Sequence, residues 1–193
     1  MGRKCSELYI RRNQRISIEK VKAVYNYDEE QSLPTEEACI EFAEKLGMST
    51  ENLDYDYITS LFMEAYPDEI SIHCMNGYYV IENREISFEG IAKHARSISR
   101  KLRAHILFRS IYDDDIYVFG TALNGKLIAE YVGGECDVYD EKQKMNNMEG
   151  FASFFECDPQ LFQNIGNKNQ NEAEEFEHLI LSLLNTEQSE AKG

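Results

Sequence analysis

Residues 69–134, EISIHCMNGYYVIENREISFEGIAKHARSISRKLRAHILFRSIYDDDIYVFGTALNGKLIAEYVGG, decide the fold. Two Asn-Gly dipeptides, Asn76-Gly77 and Asn124-Gly125, each stand between β-prone runs: residues 69–74 and 78–81 around the first, 116–123 and 126–132 around the second. Asn-Gly tolerates the two positive-φ positions of a tight turn, so each predicts a hairpin. Gly133-Gly134 marks the end of the second. Between the hairpins, Phe88, Ile91, Ala92, Ala95, Ile98 and Leu102 recur at helical spacing, with Ser87 placed to cap the first turn. The opposite face of that helix carries Lys93, His94, Arg96, Arg100, Lys101 and Arg103, and the later ones suit the negative pole of the helix dipole. A strand over residues 104–112 then runs into the polar turn Asp113-Asp114-Asp115. The order strand, strand, helix, strand, strand, strand predicts an α+β domain with an antiparallel sheet of about five strands.

Helices flank this unit. Pro34-Thr35-Glu36-Glu37 opens one that Gly47 closes, through a capping hydroxyl, early acids and a terminal glycine. Ser49-Thr50 is expected to cap another, with Leu53, Tyr57, Leu61 and Ala65 on one face until Pro67. Asp158-Pro159 starts a short helix, and Phe176, Leu179, Ile180, Leu183 and Leu184 give a longer one with an acidic outer face. Residues 1–27 read two ways: 7–10 and 15–18 look like strands, whereas 17–25 could equally wind into a helix. Residues 134–147 and 166–171 lack apolar period and are expected to be loops or mobile linkers. A length of 193 residues fits one domain spanning 1–193, with 186–193 as a mobile tail.

Charge is sorted into blocks along the chain. Net values are +5 over residues 1–27, −14 over 28–90, +6 over 91–112 and −12 over 113–193, giving −15. The five cysteines, Cys5, Cys39, Cys74, Cys136 and Cys157, are widely spaced and include no CxxC pair, which suggests neither a disulfide framework nor a zinc ribbon. A reducing, cytoplasmic setting follows as the expectation. No apolar run is long enough to span a bilayer. Residues 1–6, Met1-Gly2-Arg3-Lys4-Cys5-Ser6, match the loose N-myristoylation pattern by letter, and chance accounts for a pattern that fixes so few positions.

No nucleophile elbow, phosphate loop, dinucleotide fingerprint, zinc-binding histidine pair or EF-hand loop is present, so no catalytic residue, metal ligand or cofactor is nominated. His73, His94, His105 and His178 are not at ligand spacing. Asp113-Asp114-Asp115 lacks the alternating spacing of a calcium loop and reads as a solvated turn. Glu36 with Glu37, and Glu172 with Glu174 and Glu175, read as solvated helix starts, because nothing sets the environments of paired acids apart. The basic helix would be compensated by neighbouring acids, since a molecule at −15 repels a polyanion.

In size, acidity, absence of catalytic motifs and the hairpin YDDDIYVFGTALNGKLIAEY over residues 112–131, the chain resembles bacterial immunity proteins that neutralise toxins, often basic nucleases. That resemblance implies a stoichiometric inhibitor of a basic protein. The implied contact surface comprises Asp113, Asp114, Asp115, Asp137 and Asp140, with Tyr117 and Tyr139 as aromatic anchors. Two other classes stay open. One is a small-molecule enzyme with a motif-less site, which a deep pocket at His73, His105 or a buried carboxylate pair would favour. The other is nucleic-acid binding through the helix at 91–105, by Lys93, Arg96, Arg100, Lys101 and Arg103. A basic protein is the partner expected; neither nucleic acid nor membrane is.

Overall fold

The computed structural model describes residues 3–13, 15–25, 34–50, 53–65, 70–166 and 168–186. Contacts divide the chain into two compact units, residues 1–24 with 70–193 and residues 25–69. The first is α+β. Its open, wholly antiparallel sheet comprises β1 (Lys4–Arg11), β2 (Ile70–Met75), β3 (Tyr78–Asn83), β4 (His105–Tyr112), β5 (Ile116–Leu123), β6 (Lys126–Gly134) and β7 (Lys144–Asn146), in the order β2-β3-β1-β4-β5-β6-β7. Seven strands stand where about five are expected. The two additions come from the ambiguous N-terminal segment, which supplies β1, and from residues 134–147, which form a 3-10 turn at Cys136–Tyr139 and then β7 instead of a linker.

Three hairpin turns have the same chemistry. Asn76 and Gly77 sit at φ 45° and 83°, Asn124 and Gly125 at 51° and 84°, and Asp113 and Asp114 at 54° and 59°. Successive left-handed residues match the twist of the flanking strands, so β4 and β5 also join as a tight hairpin. Asp can occupy this region because its short side chain supports the turn locally.

The remaining helices of this unit are α1 (Ile18–Tyr25), α4 (Ile91–Leu102), α5 (Glu149–Phe155) and α6 (Gln170–Thr186). Alternation along the strands gives the sheet two apolar faces. One, with Tyr9, Tyr78, Leu107, Tyr117, Phe119 and Tyr131, packs against α5 and α6. Phe176 of α6 is the hub there, within 5.1 Å of both Phe119 and Phe151 and 4.2 Å of Tyr131 between ring centroids. Buried Ile91, Ala95, Ile98 and Leu102 of α4 cover the other face through β4, β5 and β6. Ser87 bonds the Gly90 amide at 3.2 Å, so its cap closes the turn before the helix. No side chain caps α5, which explains why no start signal for it stands out. Asp158 caps the 3-10 turn Pro159–Phe162 as expected, at 2.9 Å from the Gln160 amide. Residue 166 is tied down rather than linker-like, its carbonyl accepting from the Tyr131 hydroxyl at 2.8 Å. Residues 1–2 and 187–193, and with them most of the lipidation pattern's start and the expected tail, lie outside the described residues.

The second unit contains α2 (Glu36–Lys45) and α3 (Tyr55–Ala65), packed through Cys39, Phe42, Ala43 and Ile58. Thr35 caps α2 and Gly47 ends it at φ +71°, both as the sequence indicates. Its partner starts later than expected: Asp54, not Ser49-Thr50, accepts from the Tyr57 amide at 3.1 Å. Ile58 packs inward against α2, and Tyr57, expected on the apolar face, turns outward.

Gly120 on β5 sits under the Phe108 ring, which occupies the space a Cβ would need, with the Ala129 carbonyl crowding the same point. Gly120→Ala is expected to lower unfolding free energy by about 1–3 kcal/mol through overpacking, read as a shifted denaturant midpoint by circular dichroism. A variant as stable as the parent would contradict this packing.

Candidate functional site

Charge follows the division into units. Residues 25–69 hold thirteen Asp/Glu against one Lys, a net −12, which leaves −3 for all the rest. On the helical unit, Glu36, Glu37, Glu41, Glu44, Asp54 and Asp56 are exposed, and no ion pair forms to any of them among the described residues. Glu37, Glu41 and Glu44 share one side of α2, where like charges four apart repel slightly. Set among these acids are three large exposed apolar side chains, Tyr57 at 54 %, Leu46 at 52 % and Tyr55 at 40 %. The Tyr55 hydroxyl donates to Glu36 at 2.9 Å, which orients that ring across the two helices.

The acids expected at the β4–β5 turn are placed differently. Asp114 pairs with Arg3 (Nε 3.2 Å, backbone N–H 2.8 Å), Asp113 lies 3.6 Å from Lys4 Nζ, and Asp115 accepts from the Tyr139 hydroxyl at 2.8 Å. Two of the three thus face cations of the same unit, and Asp115 is engaged by a neutral hydroxyl. Tyr117, expected as a surface anchor, is 1 % exposed and belongs to the core under α6, because the β5 alternation points it inward. Tyr139 packs edge-on against Phe88 and Tyr112, while Asp137 and Asp140 are exposed beside it on the 3-10 turn. Tyr139 is therefore half-committed to this aromatic cluster, and its hydroxyl is pushed up to about 12 by the bond to Asp115.

A cleft of about 550 Å³ opens beside that cluster, lined by Lys4, Ser6, Arg84, Phe88, Ser110 and Tyr112 among others. The Ser6 and Ser110 oxygens lie 2.8 Å apart, with the Ile86 carbonyl 2.7 Å from Ser6 and the Cys5 carbonyl 3.0 Å from Ser110, so their two protons are shared among these three contacts. No imidazole lines it, and burial pushes the Cys5 thiol up to about 11, so neither side-chain type is activated as a nucleophile there.

Behind the cleft, a charge network is buried against α6. Arg109 bonds Glu7 at 2.6 Å and also Glu177, whose second oxygen holds Arg3 at 2.7 Å; Tyr9 donates to Glu7 at 2.5 Å. The carboxylates facing Arg109 hold its guanidinium protonated against the cost of burial. This is the buried carboxylate pair that the enzyme reading looks for, yet both acids are occupied by arginines.

The remaining cations form a surface of their own. Lys93, Arg96, Arg100, Lys101 and Arg103 are exposed on α4 and its C-cap, and none has an ion-pair partner among the described residues. Of the six Lys/Arg in residues 91–112, Arg109 alone forms an ion pair with an acid among the described residues. The β5–β6 turn stands beside these cations. That turn is bound to the helix, the Gly125 amide donating to Ser99 Oγ at 3.1 Å and Arg96 Nε to the Gly125 carbonyl at 3.2 Å. Burial, and then Lys101, hold His94 below its ordinary range.

Among the described residues, no group of three or more His, Cys, Asp or Glu is placed to hold a metal ion, and no helix is long and apolar enough to cross a membrane. His73 is exposed on the edge strand β2. No family model matches the chain, and neither does any curated protein or solved structure.

Arg109→Met would leave Glu7 without its cation and Glu177 with Arg3 alone, and a loss of about 3–5 kcal/mol is expected in equilibrium unfolding. Combining it with Glu7→Gln and Glu177→Gln should recover much of that loss; a single variant of unchanged stability would refute the network's role. His105 stands edge-on to Phe154 at 5.2 Å and is held at about 4 by burial and by Arg11. A histidine depressed in the folded state stabilises above its free value and loses that contribution as pH falls, so stability should decline from about pH 6.5 downward. His105→Gln should flatten the change in denaturant midpoint between about pH 7 and about pH 5. Equal slopes in the two proteins would disprove the assignment.

Proposed function

We propose that the chain is a non-catalytic binding protein that captures a basic protein stoichiometrically, as an inhibitor of a cationic toxin such as a nuclease would. The observation that supports this reading is the confinement of −12 to one 45-residue unit that also displays Tyr55, Tyr57 and Leu46. Concentrated like charge accelerates encounter with an opposite charge and excludes wrong partners. Affinity then needs anchors that shed water on contact. Tyrosine supplies large rigid area with a hydroxyl, and the few residues that dominate interfaces are enriched in it. A cationic partner would also relieve the repulsion along Glu37, Glu41 and Glu44.

The contact surface proposed here moves from the hairpin acids to α2 and α3. Asp113, Asp114 and Asp115 are satisfied internally, and Tyr117 is buried. Asp137 and Asp140 remain available at the 3-10 turn but have less charge around them.

Affinity purification from the native host under mild salt should recover a basic protein in equimolar amount. Glu37→Gln, Glu41→Gln, Glu44→Gln and Asp56→Asn together should slow association by at least about tenfold, and Tyr57→Ala should speed dissociation. Recovery of only neutral or acidic proteins, or of none, would sink the proposal.

A further inference from the structure

The cationic face of α4 has no role in the capture of a basic protein, and its arrangement suits a different ligand. Lys93, Arg96, Arg100 and Arg103 follow one another at intervals of three and four residues, which aligns them over about 15 Å of helix. Lys101 flanks this row. The platform is preorganised: Ser99 Oγ also donates to the Ala104 carbonyl at 2.9 Å, fixing the helix end, and the Arg100 side chain packs against Gly125. Arg96 spends only its Nε on the turn, so the forked end of the guanidinium faces outward for a bidentate anion.

We propose that this face binds the phosphodiester backbone of nucleic acid without reading its sequence. Two features select phosphate over other anionic partners. Every exposed residue of α4 is polar or charged, so the face lacks the apolar or aromatic centre that protein partners require, whereas backbone binding needs cations alone. The apolar side of α4 is buried against β4, β5 and β6, which leaves nothing to insert into a lipid surface. The unit bearing this face carries only −3 of the −15 total, and salt screens electrostatic repulsion over about 8–10 Å.

The test is fluorescence anisotropy of the full chain with a labelled mixed-sequence duplex of about 20 base pairs and its single strand, titrated from about 50 mM salt upward. Binding should be sequence-independent, with a slope of log affinity against log salt no steeper than about −4.5 for five cations. The variant K93Q/K101Q/R103Q leaves both arginine contacts to Gly125 in place; it should bind at least about tenfold more weakly, with the slope reduced by about 3. Unchanged circular dichroism would certify its fold. The proposal is overturned by no binding at about 50 mM salt or by a variant that binds like the parent. It is equally overturned if anionic phosphatidylserine vesicles or a polyglutamate peptide bind this face while both nucleic-acid probes fail.

Discussion

The sheet holds together because β1 is inserted between two groups of strands that do not touch each other. β2 and β3 form one hairpin, β4 to β7 form a meander, and only β1, paired with β3 on one side and β4 on the other, makes them a single layer. Register at this seam is fixed by chemistry as well as by hydrogen bonds. Glu7 pairs opposite Arg109 across β1 and β4, and Glu177 meets the same guanidinium from α6. A slip of one residue would turn Glu7 to the apolar α4 face and strip Arg109 of one of its two carboxylate partners. Ion networks of this kind add little net stability over an apolar core, but they penalise wrong pairings severely.

Net charge describes neither surface of this protein. The same total of −15 arises from a helical unit almost devoid of cations and a sheet unit close to neutral that keeps a bare cationic helix. At physiological ionic strength a ligand senses charge within about a Debye length, so what each surface attracts depends on its local surroundings. The internal pairing of Arg3, Lys4 and Arg11 with Asp114, Asp113 and Glu156 sharpens the contrast, because these cations are removed from the reckoning while those on α4 are not.

Much of the fold was legible in the sequence where local chemistry decides it. Asn76-Gly77 and Asn124-Gly125 demand hairpins, Thr35 and Gly47 bound a helix, and the period of residues 88–102 gives α4. What stayed hidden depends on distant partners. β1 reads ambiguously because Lys4, Glu7 and Arg11 interrupt its alternation, and its charges make sense only beside Arg109, Glu177 and Glu156. Likewise α5 has no capping side chain, and β7 is three residues long. Site residues followed the same rule. The charge blocks pointed to acidic and basic surfaces, yet which acids were spent internally was decided by contacts from the start of the chain, and the outward turn of Tyr57 by the packing of its neighbour Ile58 against α2.

The seam also orders events during synthesis. Arg109 reaches back 102 residues to Glu7 and forward 68 to Glu177, and Arg3 spans 174 residues to the same acid. On the ribosome β1 emerges long before either neighbour, and its apolar Leu8, Tyr9 and Ile10 must wait unpaired while the helical unit is made. Closure of the layer consequently waits for β4, and a nascent chain stalled before that strand would expose a sticky edge to chaperones or to other nascent chains.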